Sequence, residues 1–299
     1  SYVGRNFNLW MVPTYADNGA LMAYRFYPGD TNATTKLTYK NYSALSQGFN
    51  VRCRVMDRTD LQGLVFGEAF SEGDGTEASP YILKTATDVA RFAGLVSGTI
   101  QSDSGGDIDY SKAHFALGAS INMNGVGINP ITNFSGSLDG RGNAISNLTL
   151  TTTTDAPVGL FARTDGATIK NLTLTNVAVN SAYMMAAGLV GEAKNTTIEN
   201  CSVSGNIAST ASATYKPGNG LSNGASGVAA GVVAVAFDST IKDVTFTGNV
   251  NAKGQFAAGI VAHIDGGKIE NAKVAGLDGV VCSPLEAGKV HETCGAGFV

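Results

Sequence analysis

Few residues in this chain are of types that do chemistry, and most of them stand where a turn would place them. Asp139 and Arg141 in LDGRG, with Asp165, Asp238 and Asp265, are the one set of carboxylates with a nearby base. Such a set could serve as general acid and base across a glycosidic bond. Asp139-Gly140 and Asp165-Gly166 are also turn dipeptides, in which Asp is favoured for bonding its own backbone. Structural turns are therefore the first reading, and a glycan-active cluster is the alternative. His114, His263 and His291 share no metal-ligand spacing, so no zinc peptidase motif is written in them. His263 follows the strand-like GIVA and is expected to point outward. Asp103, Asp107 and Asp109 could gather oxygen ligands for calcium, but their spacing matches no EF-hand and reads as a solvated loop. GDGTE and LDGRGN do not open a helix after a strand, as a phosphate loop requires. No catalytic residue, metal ligand or cofactor site is assigned.

The four cysteines are too few to scaffold 299 residues. Cys201 takes the place of an interior leucine in the repeat described next, so it is expected to be a buried free thiol. Cys53 alternates with Val51 and Val55 and reads the same way. Cys282 and Cys294 flank a loop and could pair in an oxidising compartment.

The elements that position these residues come from an internal repeat. Four segments superimpose, starting at Gly159, Gly188, Gly231 and Gly259, and each carries an isoleucine at the same offset: Ile169, Ile198, Ile241, Ile269. Two residues later comes Asn171, Asn200, Asp243 or Asn271, followed by apolar columns. An earlier, degenerate copy supplies Ile145, Asn147, Leu148 and Leu150. Self-similarity at this period marks a stacked-repeat protein. Period-two apolar runs with Gly, Asn and Asp between them give strands and turns, with no helix from Ile145 to Val281. Asn and Asp suit bends because they tolerate left-handed backbone, and Asn176, Gly205, Gly248 and Gly276 mark the next bend. The outward column Lys170, Glu199, Lys242, Glu270 alternates in sign, as stacked coils would exploit.

The fold class expected is all-β: a parallel β-helix-like solenoid with an N-terminal capping helix, preceded by a small β-rich module. The helix is placed at about 86–97, with Thr85 as cap, Asp88 at the third position, and Val89, Phe92, Ala93 and Val96 on its apolar face. Boundaries fall at 1–57 for the β module, 58–79 for an acidic linker and 80–299 for the solenoid with its cap. The chain carries 38 glycines and a net charge of −4, which gives no footprint for nucleic acid. No apolar run is long enough to span a membrane. Neither an initiator Met nor a signal peptide is present, so the chain reads as a processed or excised piece. GAGFV at its end reads as the start of another coil.

The order GTEASPYILKTATDVARFAGLV, YSKAHFALGASINMNG, FSGSLDGRGNAISNLTL and the GLF/GLV repeats resembles the GLUG-motif β-helix proteins of bacterial surfaces, over roughly residues 74–299. The insertion ASTASATYKPGNGLSNGASG (Ala208–Gly227) departs from that pattern. LWMVP, AYRFY and GFNVRC resemble the end of a Fibrobacter-type major paralogous, C-type-lectin-like domain. These resemblances imply an extracellular or cell-surface location in a Gram-negative bacterium. They also imply a non-catalytic adhesin, binding module or subunit of a larger surface complex. Its partner would be a glycan or cell-surface protein, touched by Trp10, Tyr15, Tyr24 and Tyr215. A glycan-active lyase or hydrolase, or a spacer domain of a larger secreted enzyme, are the alternatives.

Overall fold

The computed structural model describes residues 70–102, 108–152, 156–182, 185–210, 227–254, 256–275, 279–283 and 295–297, and the short strands at 9–10, 22–25, 38–41 and 64–65. Its chain divides into two compact units, Ser1–Arg58 and Thr59–Val299. In the first, β1 (Leu9–Trp10), β2 (Met22–Arg25) and β3 (Thr38–Asn41) form an antiparallel sheet in chain order. Trp10, Tyr24 and Tyr39 are successive partners across its three strands.

The second unit is a right-through stack of parallel strands. It opens with β4 (Leu64–Val65), β5 (Tyr81–Leu83), helix α1 (Ala86–Val96), β6 (Gln101–Ser102), β7 (His114–Leu117) and β8 (Ile121–Asn122). The next coil is β9 (Ser137–Asp139), β10 (Ala144–Ser146) and β11 (Thr149–Thr152), followed by β12 (Phe161–Asp165), β13 (Thr168–Lys170) and β14 (Thr173–Ser181). The coil above holds β15 (Met185–Ala187), β16 (Val190–Lys194) and β17 (Thr197–Ser209); then come β18 (Val228–Ala230) and β19 (Val233–Lys253). The last layers are β20 (Phe256–Ala258), β21 (Val261–Glu270), β22 (Lys273–Val274), β23 (Gly279–Ser283) and β24 (Gly295–Gly297). The all-β, β-helix-like fold with a single N-terminal helix is the one the repeat predicts.

Interior columns run unbroken through the stack. Tyr81, Phe115, Leu138, Ile169, Ile198, Ile241 and Ile269 are successive register partners. A second column runs Ile121, Ile145, Leu174, Val203, Phe246, Val274. Here the sequence register needs correction. Ile145 stacks on Leu174, and Leu138 takes the place under Ile169. From Leu138 to Ile145 the chain advances seven residues, against five from Ile169 to Leu174, because Arg141 (φ 51°) and Gly142 (φ 76°) make an extra left-handed turn. A second correction concerns Ile269, which is half-buried where its three predecessors are fully buried, because no described strand lies over it.

The bends are set by backbone chemistry. Asn147, Asn171, Asn176, Asn200, Asp243 and Asn271 all have φ between 51° and 59°, a region open to few residues other than Gly, Asn and Asp. Their amides bond along the stack: Asn171 Nδ2 donates to Asp139 Oδ1 at 3.0 Å, and Asn200 Nδ2 to Asn171 Oδ1 at 2.8 Å. A parallel ladder at the next bend runs Asn176 to Asn147 at 2.6 Å and Asn147 to Asn122 at 2.8 Å.

An open coil stack exposes a raw apolar end, and α1 closes this one. Thr85 and Asp88 form the expected capping box. Val89, Phe92, Ala93, Leu95 and Val96 are buried. The Phe92 ring sits 4.3 Å from that of Phe115 and within 6.1 Å of Phe134 and Phe161, so the helix plugs an aromatic column. Phe70, in the segment read as a linker, is buried edge-on to Phe115 at 5.6 Å. Phe70, at a position the sequence reading gave to the linker, thus packs with the cap, while residues 71–79 after it are mostly exposed. Phe92→Ala should lower stability by about 3–5 kcal/mol, the usual cost of emptying a buried phenylalanine site. Urea unfolding followed by circular dichroism measures this; a change below about 1 kcal/mol would mean that α1 does not close the stack.

Candidate functional site

Two of the candidate acids, Asp139 and Asp165, are engaged by neighbouring groups. Asp139 accepts from the Arg141 backbone N–H at 2.8 Å and from Asn171, and pairs with Lys170 Nζ at 3.7 Å. Asp165 accepts from Asn195 Nδ2 at 3.0 Å and pairs with Lys194 Nζ at 3.5 Å. Asp238 is a left-handed bend residue (φ 45°). Asp165 and Asp265 share a register column through Lys194 and Phe237. Three strand spacings of about 4.8 Å put their backbones roughly 14 Å apart, beyond the roughly 5–10 Å that two glycosidase carboxyls span. Asp139 and Asp165 act as ladder groups and Asp238 as a bend residue. The outward column Asp139, Lys170, Glu199, Lys242, Glu270 is realised as register partners, and Lys242 bonds Glu199 at 3.1 Å. At the last step Glu270 pairs with Lys268 on its own strand instead.

The histidines do not converge either. His114 Nδ1 lies 2.7 Å from Ser137 Oγ on β7 and β9, near the cap. His263 is on β21, several coils away; its Nε2 is buried without a partner, and its ring is edge-on to Phe237 at 6.2 Å. The expected outward placement is thus only half met. Burial holds its pKa below the ordinary histidine value, with Asp265 acting in the opposite sense. Among the described residues, no three His, Cys, Asp or Glu side chains are grouped to hold a metal ion. A catalytic zinc needs three protein ligands, so these residues do not fit one. Asp109 caps the Ser111 amide and pairs with Lys112, while Asp103 and Asp107 lie outside the described residues.

Cys201 is buried and free, partnered in register with Val244. Cys282 is disulfide-bonded, and Cys53, Cys294 and His291 lie outside the described residues. So do Tyr15, Tyr215 and most of the Ala208–Gly227 insertion; Trp10 and Tyr24 are placed only by their strand register.

Among the described residues, the layer of β21, β22 and β23 is less buried than the layers before it. Ile264, Ile269, Val274 and Val280 are the last described members of four interior columns and are only partly buried, while their partners Ala236, Ile241, Phe246 and Val250 are at most 1% exposed. Beside them Val281 is 49% exposed. A shallow depression there is lined by Ile264, Gly266, Gly267, Lys268 and Ile269.

Residues 84–205 match the family described as the N-terminal region of the M26 IgA1-specific metallo-endopeptidases. A stretch of 114 residues is 41% identical to halomucin of Haloquadratum walsbyi; it is 37% of this chain and spans about 1% of that protein. A solved structure described as a candidate immunoglobulin A1 protease from Bacteroides ovatus aligns with a TM-score of 0.43 and 16% identity, over 78% of this chain and 86% of that one. That similarity is too low to carry any argument. The family match runs against the expectation of a non-catalytic adhesin, because residues 84–205 are similar to a region of metallo-endopeptidases. The GLUG-motif resemblance is not among these findings. An extracellular or surface location is supported.

Desolvation pushes the Cys201 thiol up to about 11, with hydrogen bonds from the backbone acting the other way. Because the raised value favours the neutral thiol in the fold, the stability it contributes is complete below about pH 9 and declines as pH rises towards 11. Cys201 should therefore resist a thiol reagent at pH 8 without denaturant and react fully in it. Rapid labelling of the native chain would overturn its interior placement.

Proposed function

We propose that this chain serves in the N-terminal accessory region of a secreted metallo-endopeptidase of the M26 type, engaging the protein substrate and leaving hydrolysis to a metal-bearing part. The observation that carries this reading is the family match over residues 84–205, which takes in the capping helix and the first coils. Two features support the division of labour. Asp139 and Asp165, two of the carboxylates that could have served as acid and base, are engaged in amide ladders and ion pairs. A rigid stack of in-register strands also suits holding a partner at a fixed distance from a catalytic centre.

The test is biolayer interferometry of the purified chain against immunoglobulin A1, with the heavy chain followed in parallel on a denaturing gel, with and without added zinc. Saturable binding with the heavy chain left intact is expected. Cleavage by this chain alone would refute the division of labour, and absence of binding would refute the substrate-engaging role.

A further inference from the structure

We infer that Asn124 is a site of covalent self-modification, in which the backbone nitrogen of Gly125 displaces the side-chain amide of Asn124 as ammonia. β8 ends at Asn122, and the chain then turns through Met123, Asn124, Gly125 and Val126, closed by the Val126 N–H donating to the Met123 carbonyl at 2.8 Å. Gly125 stands at φ 78°, the left-handed value that the third position of such a turn requires. Asn124 and Gly125 are both exposed, and a Cβ built on Gly125 would meet nothing within 4 Å. The Asn124 backbone N–H is held by Asn122 Oδ1 at 3.0 Å, whereas its side-chain amide and the Gly125 N–H have no hydrogen-bond partner among the described residues. Electrophile and nucleophile are thus adjacent, solvated and uncommitted, and no side chain at 125 crowds the approach.

The step is intramolecular and driven by proximity. A bond forms from Gly125 N to Asn124 Cγ, the amide proton passes to the departing nitrogen, and ammonia leaves behind a cyclic imide. Water then opens the ring at either carbonyl. At Cγ it gives aspartate; at the backbone carbonyl it gives isoaspartate, whose main chain runs through the former side chain. Other asparagines at bends are protected by the fold. Asn147, Asn171, Asn176 and Asn200 each donate their side-chain amide to the coil beneath, and the residues after them, Leu148, Leu172, Val177 and Cys201, are buried. Asn129 precedes Pro130, which has no N–H to attack with. The product matters to the stack because Asn122 Oδ1 also accepts from Asn147 Nδ2 at 2.8 Å, the rung from which the ladder continues to Asn176. Isoaspartate at 124 lengthens the main chain beside that rung and adds a negative charge, so the ladder loosens from its first described member.

Peptide mapping by mass spectrometry of the whole folded chain, aged at mildly alkaline pH, reads the reaction. Conversion at Asn124 should outpace that at Asn147 and Asn171 at least tenfold, rise with pH, and yield isoaspartate as well as aspartate, detected with an isoaspartyl methyltransferase. Asn18, Asn219 and Asn223 also precede glycine but lie outside the described residues, and they are followed on separate peptides. Gly125→Asn keeps a residue tolerant of left-handed backbone while adding a Cβ, and should slow conversion at 124 at least tenfold. Asn124→Gln should leave the site silent. Hydrogen exchange at the Asn147 backbone N–H, which donates to the Thr175 carbonyl, should be faster in the converted chain than in Asn124→Gln. Three results would overturn the inference: Asn124 converting no faster than Asn147, aspartate formed without isoaspartate, or a Gly125→Asn rate equal to that of the parent chain. Unchanged exchange at Asn147 would refute the coupling to the ladder.

Discussion

Everything in this solenoid depends on the chain turning through a left-handed bend at the same place in each coil. Parallel strands usually need a helical crossover to return to the sheet. Here the return is made by single residues such as Asn171, Asn200, Asp243 and Asn271, at φ values that cost most side chains about 1–2 kcal/mol. Asn offsets this by bonding the coil beneath, as Asn200 does to Asn171 and Asn271 to Asp243 at 2.6 Å. Where the bend repeats in register, so do the inward columns, and the core follows. Close backbone approach is solved separately, by Gly205 and Gly248: a Cβ on Gly205 would meet the Val177 carbonyl oxygen at 2.0 Å.

The same constraint decides what the polar residues are free to do. A carboxylate at a bend is held by backbone amides and ladder amides, as Asp139 is, and a lysine beside it is drawn into the alternating column. Charge in such a stack is spent on register, so carboxylates that look like acid–base candidates in sequence become structural in three dimensions. At one end of the stack the repeat is closed by α1.

Much of this was legible in the sequence, and the reasons for the failures are physical. The isoleucine column, the capping box at Thr85 and the interior place of Cys201 follow from local patterns whose period equals that of the structure. The degenerate copy was misregistered by one bend because Gly140-Arg141-Gly142 adds residues that a pattern match skips without penalty. Phe70 was read as linker because the acidic residues after it dominate composition, whereas a single buried aromatic determines packing. No local signal marked the relation to an endopeptidase region, since the described residues carry no catalytic metal set.

The central claim is that consecutive coils stack in strict register, and paired cysteines test it directly. Glu199 and Lys242 are partners on adjacent strands, whereas Glu199 and Thr240 are offset by two residues. Neighbouring strands bring partnered Cα atoms to about 4.8 Å, inside the range of roughly 4.4–6.8 Å that a disulfide accepts, while the offset pair lies beyond it. Under mild oxidation, the double variant Glu199→Cys, Lys242→Cys should close its disulfide nearly completely, while Glu199→Cys, Thr240→Cys stays open. Preferential closure of the offset pair, or closure of neither, would contradict the register on which this account rests.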